Sequence, residues 1–130
     1  MSYYYSTTLS GEFEEAVERV SSELQKEGFG VLANIDIQGA IKKKLGVDFR
    51  KYRILGACNP PFAIKALKVE DKIGTMLPCN VVLQELGDGK IEVAAVNPVQ
   101  SMIGVGNDDL LKIAEQIGEK LQKVIKALQS

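Results

Sequence analysis

Histidine is absent from this chain, and so is tryptophan. Without an imidazole there is no Ser-His-Asp or Cys-His nucleophile system, no histidine metal ligand and no ordinary neutral-pH base. Any proton or group transfer would fall to carboxylates, lysine, tyrosine or cysteine. An excess of one charge is missing too, since 16 basic residues face 17 acidic ones. A nucleic-acid surface is expected to be clearly basic. No apolar run approaches the roughly 20 residues that a membrane helix needs. The first residues also lack the basic stretch and apolar core of a signal peptide. The expectation is a cytoplasmic protein with neither membrane nor nucleic acid as partner, its two cysteines reduced.

What is present fits one domain over residues 1–130, the size at which a single core is typical. Both cysteines and three of the four prolines fall between Tyr52 and Leu83. That stretch opens on Arg53-Ile54-Leu55-Gly56-Ala57-Cys58-Asn59-Pro60-Pro61 and closes on Leu77-Pro78-Cys79-Asn80-Val81-Val82-Leu83. Each end sets a Cys-Asn pair beside proline at the edge of a strand-like apolar run.

Taken in order, Tyr3 to Thr8 reads as a first strand. Ser10 is placed to cap a helix whose apolar face is Phe13, Ala16, Val17, Val20 and Leu24, with Gly28 as its stop. Phe29 to Ile37 alternates as a second strand, with Val31, Ala33, Ile35 and Ile37 on one side. Gln38 to Leu45 forms a short helix, with Ile41 and Leu45 inward and Gly46 ending it. Lys42, Lys43 and Lys44 spread around that helix and do not converge on one ligand. With Arg50, Lys51 and Arg53 nearby, a modest basic patch is the minor alternative to a solvated face.

Tyr52 to Ala57 is a third strand, stopped by Pro60 and Pro61. Asn59 caps a helix running to about Glu70, with Phe62, Ala63, Ala66 and Leu67 on its apolar face. Asp71 to Pro78 reads as a loop. Cys79 to Glu85 and Ile91 to Val96 are strands joined by Gly87-Asp88-Gly89, a tight-hairpin signal. Asn97 to Gly106 reads as a loop rich in apolar groups, among them Pro98, Val99, Met102, Ile103 and Val105. Asn107 caps a last helix with a wide stripe of Leu110, Ile113, Ala114, Ile117, Leu121, Val124, Ile125 and Leu128.

Three constellations bear on chemistry. Cys58 and Cys79 lie at strand ends that a sheet can bring together. They serve either as small buried side chains or as a soft-metal or redox pair, with Met76 or a carboxylate as a further ligand. Asn59 and Asn80 suit turn and cap work, or the orientation of a polar ligand. Gly104-Val105-Gly106 enters a helix start, but Asp108 and Asp109 in its first turn would repel a phosphate, which excludes that reading.

The motifs around Cys58 and Cys79, with the lead-in Lys44-Leu45-Gly46-Val47-Asp48-Phe49, resemble the bacterial and archaeal family called domain of unknown function 302. The resemblance runs from the first strand to the last helix. It implies a fold similar to the TATA-box-binding protein, with helices packed on a curved antiparallel sheet, and a homodimer. It implies no activity and names no catalytic residue or cofactor.

The reading is thus an α+β domain of about five strands, one face covered by the first and last helices. Its function is that of a small-molecule-binding module, in which the sheet and the apolar 97–106 segment enclose a largely apolar ligand. Cys58, Asn59, Cys79, Asn80 and Met102 are the expected ligand-binding residues. The alternative is a thiol-based soft-metal or redox site at Cys58 and Cys79. A further possibility is that the apolar segment is a dimer interface.

Overall fold

Alternation along the last two strands builds the platform. In β4 (Cys79–Gly87) Cys79, Val81 and Leu83 are buried, and in β5 (Lys90–Val96) Ile91, Val93 and Ala95 are buried. Successive strand residues point to opposite faces, so these side chains share one apolar face. The computed structural model describes residues 2–129, a single α+β domain whose five strands form one antiparallel sheet. With β1 (Tyr4–Ser10), β2 (Gly30–Asp36) and β3 (Tyr52–Cys58), the strand order is β1-β5-β4-β3-β2. Asp88 at φ 53° and Gly89 at φ 71° turn β4 into β5, the two positive angles a tight type I′ hairpin requires.

Two helices cover the apolar face. The expected face of α1 (Phe13–Lys26) is the buried one, from Phe13 to Leu24. Its cap is not Ser10, which ends β1. Glu12 Oε2 accepts from the Glu15 amide at 3.0 Å instead. Along α5 (Asp108–Leu128) the predicted stripe is buried apart from the half-buried Ile113, and Asn107 Oδ1 caps it by accepting from the Leu110 amide at 3.1 Å. The core joins both helices to Leu55, Val81, Leu83, Ile91 and Val93 of the sheet.

Three expectations change. Val31 pairs with Ala57 and faces the core, but a bulge between Val31 and Ala33 puts Ala33 against Gly56 and Ile35 against Ile54. An inserted residue reverses the alternation. Val31 and Ile35 therefore lie on opposite faces, and Ile37 has already entered α2 (Ile37–Leu45). That helix ends as expected at Gly46, φ 67°, but Leu45 is 72% exposed and no residue of α2 is buried. Both sequence loops are also helical. A 3-10 helix spans Asp71–Met76 with Ile73 buried, and α4 (Pro98–Met102) runs into a 3-10 turn at Ile103–Val105.

Lys51 and Arg53 come together over the Phe13 ring, and other basic residues of this region pair elsewhere. Lys42 pairs with Asp48 at 2.8 Å, and Arg50 stacks on the Phe49 ring. Arg53 donates to Glu14 of α1 at 2.6 Å, on the helix-covered side of the sheet. These are local pairings that order the surface.

Gly56 is a point of close approach on the sheet's uncovered face. A Cβ there would come within 2.8 Å of Pro78 Cγ and 3.2 Å of Ala33 Cβ. Neither neighbour is the end of a flexible side chain. Overpacking of this kind costs roughly 1–3 kcal/mol, against the roughly 0.5–1 kcal/mol that alanine gains over glycine within a strand. Gly56→Ala is expected to lower the urea midpoint by the equivalent of about 1–2 kcal/mol, with an unchanged slope. A midpoint equal to that of the native chain would refute the close approach.

Candidate ligand-binding cavity

The long helix α5 serves two cores. Ile117, Leu121, Val124, Ile125 and Leu128 pack in the main one under the sheet. Leu110 and Ala114 pack in a second, smaller one with Ala66, Ile73 and Met102. Leu77 and Ile113 touch both. Between the two lies a cavity of about 280 Å³.

Its walls come from separate parts of the chain. The sheet end supplies Ala57, Cys58 and Cys79, and α3 (Pro60–Val69) supplies Ala63, Ala66 and Leu67. Met102 of α4 and Leu110, Ile113 and Ile117 of α5 close the far side, and Phe29, Gly74 and Pro78 complete it. The exposed side chains of Leu32 and Leu67 give it an apolar mouth. No charged side chain lines it.

Four of the five expected site residues meet here: Cys58, Asn59, Cys79 and Met102. Asn80 does not. It pairs with Gly56 and is exposed on the opposite face of the sheet, beside Tyr4, Tyr52 and Val82. Its apolar surroundings in the sequence suggested burial, yet alternation from the buried Cys79 and Val81 turns it outward. Met76 also stands apart, so the third sulfur of the cavity is Met102. Of the 97–106 segment only Met102 reaches the cavity, and Pro98 is buried within the chain. The bounding element that sequence reasoning missed is α3. Its signal was faint: Ala63 and Ala66, with Gly74 of the following 3-10 helix, are small residues that together leave space.

Three asparagines hold these walls in register. Asn59 sits at the start of α3, where its backbone carbonyl accepts from the Phe62 and Ala63 amides. Its side chain does not cap the helix. Nδ2 donates instead to the Glu27 carbonyl at 3.0 Å, tying the end of β3 to the end of α1. Asn107 Nδ2 donates to the Val69 carbonyl at 2.9 Å and to Glu70, which joins the start of α5 to the end of α3. Buried Asn97 caps α4 through Oδ1 and donates to the Ser2 carbonyl at 3.1 Å, fixing α4 to the start of β1.

The thiols differ. Both cysteines are free, Cys58 half-buried and Cys79 buried. Burial, with a smaller contribution from the neighbouring Cys58, pushes the Cys79 thiol up to about 11 from the ordinary 9.0. At neutral pH it is a neutral S–H, and the thiolate needed for nucleophilic or redox work is disfavoured. Among the described residues no group of three or more His, Cys, Asp or Glu side chains is placed to hold a metal ion. No helix among them is long and apolar enough to cross a membrane.

The fold and cavity together define a class: a five-stranded antiparallel sheet roofed by two helices, with an apolar hollow at one end. The family is more specific. The model of the family described as domain of unknown function DUF302 matches residues 5–128, and the chain belongs to that family. The crystal structure of an uncharacterized conserved DUF302 protein from Bacillus stearothermophilus is similar to it. The two are 28% identical and superpose with a TM-score of 0.89, over 97% of this chain and 98% of that one. No curated protein matches the chain.

The raised Cys79 thiol has a pH consequence. An unfolded thiol ionises near 9.0 while the folded one holds its proton to about 11. The folded state therefore binds more protons between those values, and stability falls as pH rises from 9 towards 11. Two pH units of difference correspond to a loss of about 2–3 kcal/mol. Denaturant titrations of the native chain and Cys79→Ala at pH 8 and 11 should show the smaller drop in the variant. Equal drops would place the thiol elsewhere on the scale.

Proposed function

We propose that this protein is a small-molecule-binding module and that the cavity at the junction of its two cores is the site. One observation carries this reading. Protein interiors pack about as densely as organic crystals, yet here a largely apolar lining surrounds an unfilled space with an apolar mouth. Its volume of about 280 Å³ lies near the lower end of the roughly 300–1,000 Å³ usual for ligand sites, which suits a fragment-sized guest. Cys58, Asn59, Cys79 and Met102 form part of its lining; Asn80 has no part in it.

Gly74 offers a mild way to close the site. A Cβ built there meets nothing within 4 Å, and the backbone carries no positive φ, so a larger side chain is sterically admissible. Native mass spectrometry of reduced protein should reveal an organic adduct that is lost on denaturation. Gly74→Leu should fold normally and lose that adduct. An adduct retained in Gly74→Leu would remove the cavity as its site.

The second reading is a soft-metal or redox site, favoured by the convergence of Cys58, Cys79 and Met102 on one cavity. Two thiolates and a thioether suit a monovalent soft cation such as Cu(I). Burial of Cys79 opposes it, because binding would first have to expel the proton. Anaerobic Cu(I) titration distinguishes the readings: this site predicts one equivalent bound by the native chain and none by Cys58→Ser. Equal uptake by both would sink it.

Self-association follows from the family resemblance, and the uncovered sheet face, with Tyr52, Ile54, Val82 and Val96 half-buried, is the surface a second copy would cover. Light scattering tests this against the 14.2 kDa of one chain.

A further inference from the structure

We infer that the cavity selects a neutral, largely apolar molecule bearing one hydrogen-bond donor, and that Asn59 Oδ1 reads that donor. The inference rests on the binding reading above and narrows its ligand class.

The first ground is charge. No Asp, Glu, Lys or Arg lines the cavity, and an ion taken from water into an apolar space without a partner is strongly disfavoured. Carboxylates, phosphates and ammonium ions therefore do not belong there. The protonated Cys79 thiol adds no charge of its own.

The second ground is the polarity of one amide. Asn59 is only 7% exposed and lines the cavity. Its partner, the Glu27 carbonyl, can only accept, so the amide nitrogen must face it. That orientation leaves Oδ1 over as an acceptor, and it has no hydrogen-bond partner among the described residues. The atom is not sealed from solvent, and a guest that shields it without donating to it would leave a polar group unpaired. Gly28 makes room for the amide, because a Cβ there would stand 3.2 Å from Asn59 Nδ2. A guest that brings a hydroxyl or a ring N–H satisfies Oδ1. A guest whose only polar group is an acceptor finds just the thiols, which are weak donors.

Indole, indene and indole-2-carboxylate make a matched set: a neutral donor, its C–H isostere and an anion on the same donor frame. They would be titrated into ¹⁵N-labelled, reduced, full-length protein. The resonances followed are the Asn59 side-chain amide and the backbone amides of Ala57, Ala63 and Ala66. Indole is expected to bind about fivefold or more tightly than indene, the difference one net hydrogen bond makes. Indole-2-carboxylate is expected to leave these resonances unmoved at the same concentrations, and Gly74→Leu to abolish the indole shifts. Equal binding of indole and indene, or binding of the carboxylate as tight as that of indole, would overturn the neutral-donor inference and leave the binding reading standing. No shift with any of the three, or indole shifts unchanged in Gly74→Leu, would overturn both.

Discussion

The architecture depends on a mismatch of lengths between one helix and the sheet that it covers. At about 1.5 Å per residue, the 21 residues of α5 reach roughly 30 Å. The seven-residue strands beside it reach about 23 Å at about 3.3 Å per residue. The C-terminal half of the helix buries its stripe against the sheet and α1, but the N-terminal turns carry apolar residues that need another cover. The 3-10 helix at Asp71–Met76, α3 and α4 provide it. The second core exists because the stripe outruns the sheet, and the cavity lies along the seam between the two.

Backbone hydrogen bonding keeps that seam open in a defined shape. Helix starts and strand ends meet there, and each brings amide and carbonyl groups that no regular ladder satisfies. Asparagine side chains at positions 59, 97 and 107 bridge these groups between elements distant in sequence. An amide suits the role because it donates and accepts from one short, stiff side chain. At Asn97 and Asn107 both ends of the amide are used within the chain. At Asn59 only the donor end is used within the chain, and the residue lines the cavity.

Particular residues mark how far the sequence could be read. The buried faces of α1 and α5 were legible because a period of 3.6 residues can be counted directly, and the Asp88-Gly89 hairpin because few residues tolerate positive φ. Single interruptions defeated the same arithmetic. One bulge residue between Val31 and Ala33 reversed the faces of β2, and the exposure of Leu45 left α2 without a buried side chain. Asn80 was misplaced for a related reason: hydrophobic neighbours suggest burial, yet which face of a two-faced strand is covered is not a local property. The cavity was half legible. Cys58, Asn59, Cys79 and Met102 stood out by residue type, whereas Ala63, Ala66, Leu110 and Ile117 read as ordinary core residues.

The amino-acid sequence by itself determined the absence of imidazole chemistry, the near-neutral charge, most of the elements and the family to which the chain belongs. All of these follow from composition, from short-range periodicity or from motifs contiguous in the chain. Tertiary structure alone decided that the two Cys-Asn pairs part company. Cys58, Asn59 and Cys79 turn towards a cavity while Asn80 turns to the far face. It also decided that α3 and α5 supply much of the wall, to which the 97–106 segment contributes Met102 alone. An empty space is the volume that many distant side chains fail to fill. No local pattern records it, because its size depends on how far the packing of two cores falls short of meeting.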